Sequence, residues 1–226
     1  MVKQTIKQLV RNMTYKLAVF DMDGTILDTL QDLADSTNHA LAYFNLPQRS
    51  KEEIRTFVGN GMHKLIERAV PENSEAEMIE AVFRELHNFY EKHCADTTKP
   101  YDGILEMLKA LRARGIFLAV VSNKADYAVK SLCETYFKGL FDFACGDKEG
   151  QKRKPHPDMV NAALAHFNLT KDEAVYIGDS EVDLQTAVNS GLFPIMVAWG
   201  FKGEKFLKEH GAENIVYAPE EILGYF

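Results

Sequence analysis

Leu17-Ala18-Val19-Phe20 is an unbroken apolar run that stops abruptly at Asp21-Met22-Asp23-Gly24-Thr25. A run without polar alternation predicts a strand buried on both faces, as in a parallel sheet. The period then changes. Leu30, Leu33, Ala34, Thr37, Leu41 and Phe44 recur at helical spacing until Asn45 and Pro47, with Asp28 as the expected N-cap and Gln31 in the capping-box position. Residues 51–57 and 62–70 predict two more helices, split by Gly59-Asn60-Gly61. Residues 74–94 predict a longer one that turns Ile79, Val82, Phe83, Leu86, Phe89 and Tyr90 toward a core. Between about residues 30 and 96 no stretch reads as a strand.

From Tyr101 helices and strands alternate. A helix over 103–114 precedes a buried strand over 116–121, which ends at Ser122-Asn123-Lys124. A helix over 125–135 and a weak strand over 141–145 follow, then a helix over 158–167. A third apolar strand, 174–177, ends at Gly178-Asp179-Ser180. It leads into a helix over 182–189 and a strand over 194–198. Repeated βα units predict an α/β fold with a doubly wound parallel sheet, formed by residues 1–29 and 97–226 around an all-helical insert at 30–96. Residues 1–14 read as a polar lead-in.

Three apolar strands therefore end in residues suited to phosphate or metal chemistry. Ligands of open α/β sheets sit at that end of the strands, and neighbouring strands lie about 4.8 Å apart, so the three ends converge. Composition narrows the partners. A net charge of −7 argues against nucleic acid or an anionic membrane surface. No apolar run approaches the roughly 20 residues that span a bilayer. The three cysteines, Cys94, Cys133 and Cys145, are odd in number and widely spaced, which suits reduced thiols in the cytoplasm better than disulfides or zinc.

In order, Asp21-Met22-Asp23-Gly24-Thr25, Ser122-Asn123, Lys154 and Gly178-Asp179-Ser180-Glu181-Val182-Asp183 resemble the four motifs of the haloacid dehalogenase-like hydrolases. The resemblance covers nearly the whole chain and implies a Rossmann-like core whose helical insert is a cap. It further implies Asp21 as nucleophile and Asp23 as general acid and base. Mg²⁺ would be held by the Asp21 carboxylate, the Asp23 carbonyl and the Asp179 carboxylate, with Asp183 bonding the metal shell. Gly24, Thr25, Ser122, Asn123 and Lys154 would hold the substrate phosphate.

The second carboxylate, Asp23, points away from haloacid substrates and toward phosphate esters. Val58-Gly59-Asn60-Gly61, Ser122-Asn123-Lys124, Lys154-Pro155-His156-Pro157-Asp158 and Trp199-Gly200-Phe201 look most like phosphoglycolate phosphatases. The expected activity is hydrolysis of a small phosphorylated metabolite through an aspartyl-phosphate, with 2-phosphoglycolate first in line. Pyrophosphate, a sugar phosphate or a nucleotide are the alternatives on the same scaffold. A non-catalytic phospho-aspartate signalling module is the remote one. The expected state is a cytoplasmic monomer or weak homodimer.

Overall fold

All four residues of β1 (Leu17–Phe20) are buried, as a central strand covered on both faces requires. The structure is a computed structural model that describes residues 15–226, so the expected lead-in lies outside it. Chain order continues with β2 (Leu27–Asp28), α1 (Leu30–Tyr43), α2 (Lys51–Phe57), α3 (Met62–Ala69), α4 (Ala76–His93) and β3 (Lys99–Pro100). Then come α5 (Ile104–Ala113), β4 (Phe117–Ala125), α6 (Asp126–Phe137), β5 (Phe143–Asp147) and α7 (Asp158–Phe167). The chain closes with β6 (Ala174–Gly178), α8 (Glu181–Ser190), β7 (Phe193–Val197), α9 (Gly203–Glu209) and β8 (Ile215–Val216), with short 3₁₀ turns at Lys171–Glu173 and Pro219–Tyr225.

Six strands form one parallel sheet in the order β5-β4-β1-β6-β7-β8. The chain winds from β1 outward through β4 to β5, then crosses over to β6 on the other side of β1. Strand order thus reverses at β1, the place where such sheets bind ligands. Phe20 is in register with Val120 on one side and Ile177 on the other. Asp21, Ser122 and Asp179 therefore emerge at nearly one level.

The helices α1 to α4 pack on one another, their cores supplied by Leu33, Leu41, Ile54, Ile66, Val82 and Leu86. Two pairings tie the ends of this stretch. Leu27–Asp28 and Lys99–Pro100 form a two-residue antiparallel ladder. Buried Asp32 accepts bonds from the N–H and hydroxyl groups of both Thr97 and Thr98. Neither tie was expected, because two-residue strands carry no readable period.

The expected capping box on α1 is absent. Thr29 is the N-cap residue, its hydroxyl donates to Asp23 instead, and Gln31 reaches Asp35. Asp28, committed to the ladder, accepts only a long 3.3 Å bond from Leu30 N. The β4 strand is also longer than the apolar run predicts. It continues through Ser122, Asn123 and Lys124 with a register shift before Ala125, so these polar residues ride on extended, irregular backbone. Among the described residues no helix is long and apolar enough to cross a membrane.

Candidate active site

Carboxylates of Asp21, Asp179 and Asp183 gather at the rim of β1 and β6, their ligand atoms within 4.8 Å of one another, and all three residues are buried. Backbone packing makes the gathering possible. Asp21 N donates to Ile177 O, which pins β1 to β6 just before the acid. Gly24, at φ +82°, lies so close to Asp179 that a Cβ there would sit 2.5 Å from its Oδ2. At Gly200 a Cβ would fall 2.2 Å from the Asp179 Cβ. Only glycine allows the two loops to close around this side chain. Asp179 is then aimed by Phe201 N at 2.7 Å and Thr25 Oγ1 at 3.4 Å.

One ammonium answers these acids. Lys154 Nζ lies 2.7 Å from Asp183 Oδ1, 2.8 Å from Asp21 Oδ1 and 3.1 Å from the Tyr176 hydroxyl. Asp183 is fully committed. It closes a capping box with Ser180 at the head of α8 and accepts from Lys154 and Tyr176. The contact of Lys154 with Asp21 is electrostatic and lacks hydrogen-bond geometry, so Asp21 Oδ1 is a buried oxygen without a hydrogen-bond partner.

Three carboxylates against one ammonium leave an excess of two negative charges in a buried site. Burial, with Asp183 adding repulsion, pushes Asp21 up to about 7, and burial drives Asp179 well above the usual carboxylate range. A site of oxygen donors, with an orphaned oxygen and two uncompensated charges, fits a hard divalent cation.

Ser122 Oγ accepts from Lys124 N and keeps its own proton for donation into the cavity it lines. The amide of Asn123 is used differently from the expected phosphate contact. Its Oδ1 accepts from Lys154 N, and its Nδ2 donates to Lys154 O and Gly59 O. Asn123 therefore struts the Lys154 loop and reaches the loop between α2 and α3. Thr25 likewise serves Asp179. Neither Gly24 nor Thr25 lines the cavity.

Two residues to which the sequence assigns no site role are central. Buried Lys124 donates to Asp23 Oδ1 at 2.9 Å and to the hydroxyl of Tyr90, which comes from α4. Burial alone would lower this lysine, but Asp23 and Tyr90 outweigh it and hold the ammonium above its ordinary range. The clue in the sequence is the segment Ser122-Asn123-Lys124, which carries the resemblance to phosphoglycolate phosphatases without giving Lys124 a role. Tyr90 was legible as a core residue of its helix, not as a polar contact.

The cavity amounts to about 50 Å³, room for only a few waters. Asp21, Asp23, Lys154 and Asp179 line it from the sheet side, and Val58, Met62 and Leu65 from the end of α2 and from α3. A recess of about 350 Å³ adjoins it, sharing Met62 and Asn123 and walled by Phe83, His87 and Tyr127.

Residues 18–197 match the family model described as haloacid dehalogenase-like hydrolase. A solved structure from Lactobacillus delbrueckii subsp. bulgaricus, whose designation as a phosphoglycolate phosphatase is itself provisional, is 40% identical. It superposes with a TM-score of 0.89 over 93% of this chain and 97% of that one. The N-acetylmuramic acid 6-phosphate phosphatase of Pseudomonas aeruginosa is 28% identical over 95% of this chain and 96% of its own length. Pyrophosphatase PpaX of Listeria monocytogenes is 31% identical over 58% of this chain, and the chain spans 61% of that relative's length.

Proposed function

The chain belongs to the haloacid dehalogenase-like hydrolases, and from that premise we propose a cytoplasmic, Mg²⁺-dependent phosphatase of small phosphorylated metabolites, 2-phosphoglycolate first among them. One observation carries the reading: Asp21, Lys154 and Asp179, far apart in sequence, meet at one sheet rim around an uncompensated negative charge. Residues 30–96 act in it as a cap over the rim, and 1–29 with 97–226 as the catalytic core.

The Asp21 carboxylate attacks phosphorus, and the bond from phosphorus to the leaving oxygen breaks. Asp23, whose Oδ1 accepts from Thr29 and Lys124, gives a proton from its other oxygen, Oδ2, to that oxygen. It then takes a proton from the water that attacks the aspartyl-phosphate, releasing inorganic phosphate and regenerating Asp21. Ser122 and Lys154 hold phosphate oxygens, while Asn123 and Asp183 keep Lys154 in place. The carboxylates of Asp21 and Asp179 and the carbonyl of Asp23 would hold Mg²⁺, which would supply charge compensation for the phosphoryl oxygens. The cap residues Val58, Met62 and Leu65 exclude water from the reacting atoms.

The metal assignment predicts a pH-dependent effect on melting. Asp21 titrates near 7 without metal, so a cation meets less proton competition at pH 8 than at pH 5.5. Saturating Mg²⁺ should raise the melting temperature by several degrees at pH 8, about 2.7 kcal/mol at a hundred times Kd, and by distinctly less at pH 5.5. Equal shifts at both pH values would remove Asp21 from the ligand set.

A screen of kcat/KM over some dozens of phosphometabolites tests the substrate. The 40% identity to the structure designated a phosphoglycolate phosphatase favours 2-phosphoglycolate. The adjoining aromatic-walled recess favours a second reading, a sugar phosphate whose ring occupies it. If pyrophosphate or a sugar phosphate leads by a wide margin, the 2-phosphoglycolate assignment is wrong.

A further inference from the structure

The cavity is lined by a lysine for which phosphoryl transfer has no use. Lys202 follows Phe201, whose N–H is fixed on Asp179, and lines the cavity beside apolar Val58, Met62 and Leu65. Its Nζ donates to Thr56 O at 3.1 Å and lies 5.5 Å from the Phe206 ring centroid. Thr56 is in the last turn of α2, so the ammonium reaches from the core toward the helical segment. Arg68 donates to the neighbouring carbonyl of Phe57 at 2.7 Å, which brings a second cation to the same helix end.

A helix C-terminus does attract cations. That contact uses one of three ammonium hydrogens. Among the described residues Lys202 has no ion-pair partner, and Asp179 and Glu181 act on it only from longer range. Burial holds it below the ordinary lysine range. Lys124 differs, because Asp23 already answers its charge. A half-buried lysine whose ammonium has only a neutral acceptor is stabilised by an anion.

We propose that Lys202 is a specificity-determining residue that binds a second negative group on the leaving-group side of the substrate. The preferred substrates are then phosphate compounds whose leaving group is itself anionic, through a carboxylate or a further phosphate. The proposal rests on the phosphatase reading above.

The test is a matched pair of esters, 2-phosphoglycolate and ethyl phosphate, with kcat/KM measured for the wild type, Lys202→Gln and Lys202→Arg. Lys202→Gln should lower the ratio of anionic to neutral ester by roughly 30-fold or more, chiefly through KM, and Lys202→Arg should retain the ratio. Lys202→Met, which keeps the aliphatic stem, decides the matter should Lys202→Gln not fold. An unchanged ratio in the uncharged variants, or equal losses on both esters, overturns the role of Lys202. A wild type that hydrolyses neither ester overturns this proposal, and one that hydrolyses no compound of the phosphometabolite screen overturns the phosphatase reading as well.

Discussion

Asp21→Asn should lower kcat by roughly 10⁴-fold or more, the scale on which removing a nucleophile acts, while the metal-free fold becomes more stable. The two effects share a cause. Asp21 is buried beside Asp183, and its pKa rises from 3.8 to about 7. The native state therefore holds the proton more tightly than the unfolded chain does. Stability from this group is full below about pH 4 and is lost as pH rises through 7. The neutral amide escapes that loss. The melting temperature of Asp21→Asn should exceed that of the metal-free wild type at pH 8, and the gap should close toward pH 4. Single-turnover mixing with excess enzyme should leave no acid-stable phosphoryl group on the variant. Turnover near the wild-type rate would exclude covalent attack by Asp21.

The second large effect falls on Lys154, and here stability and activity drop together. Lys154→Met leaves Asp21, Asp183 and Tyr176 buried without their cation. Removing one partner of a buried ion pair costs about 3–5 kcal/mol, which for a domain of this size lowers the melting temperature by roughly 6–20 °C. Loss of one charged group aimed at the transferring phosphoryl costs about 10²–10³ in kcat. Adding Asp183→Asn should restore part of the stability and none of the activity. A solvated lysine, as Lys152-Arg153-Lys154 would suggest from charge alone, would change stability by no more than about 0.5 kcal/mol. Thermal melts of the single and double variants separate the two.

The sheet and its rim were legible because β1, β4 and β6 are apolar runs whose abrupt polar ends need no long-range information. What sequence order could not convey was how side chains are shared. Asn123 and Thr25 have the right chemistry to touch phosphate, yet their polar atoms serve Lys154 and Asp179. The link from Tyr90 through Lys124 to Asp23 joins residues up to 101 positions apart. Its central ammonium sits on the strand continuation that the apolar pattern ended too early. The ladder of Leu27–Asp28 with Lys99–Pro100 and the strand at Ile215–Val216 are two residues each, below the length at which alternation can be read.

The short ladder has a consequence for modularity. Leu27 faces Pro100 and Asp28 faces Lys99, so the chain departs from the sheet-bearing body and comes back to it through adjoining rungs. Paired rungs are only about 5 Å apart, a gap that a tight turn can span. Everything between them could be excised or exchanged for a foreign segment without asking the β1 strand to move. On the proposed reading, such a doorway would let new lids be tried over an old reaction centre.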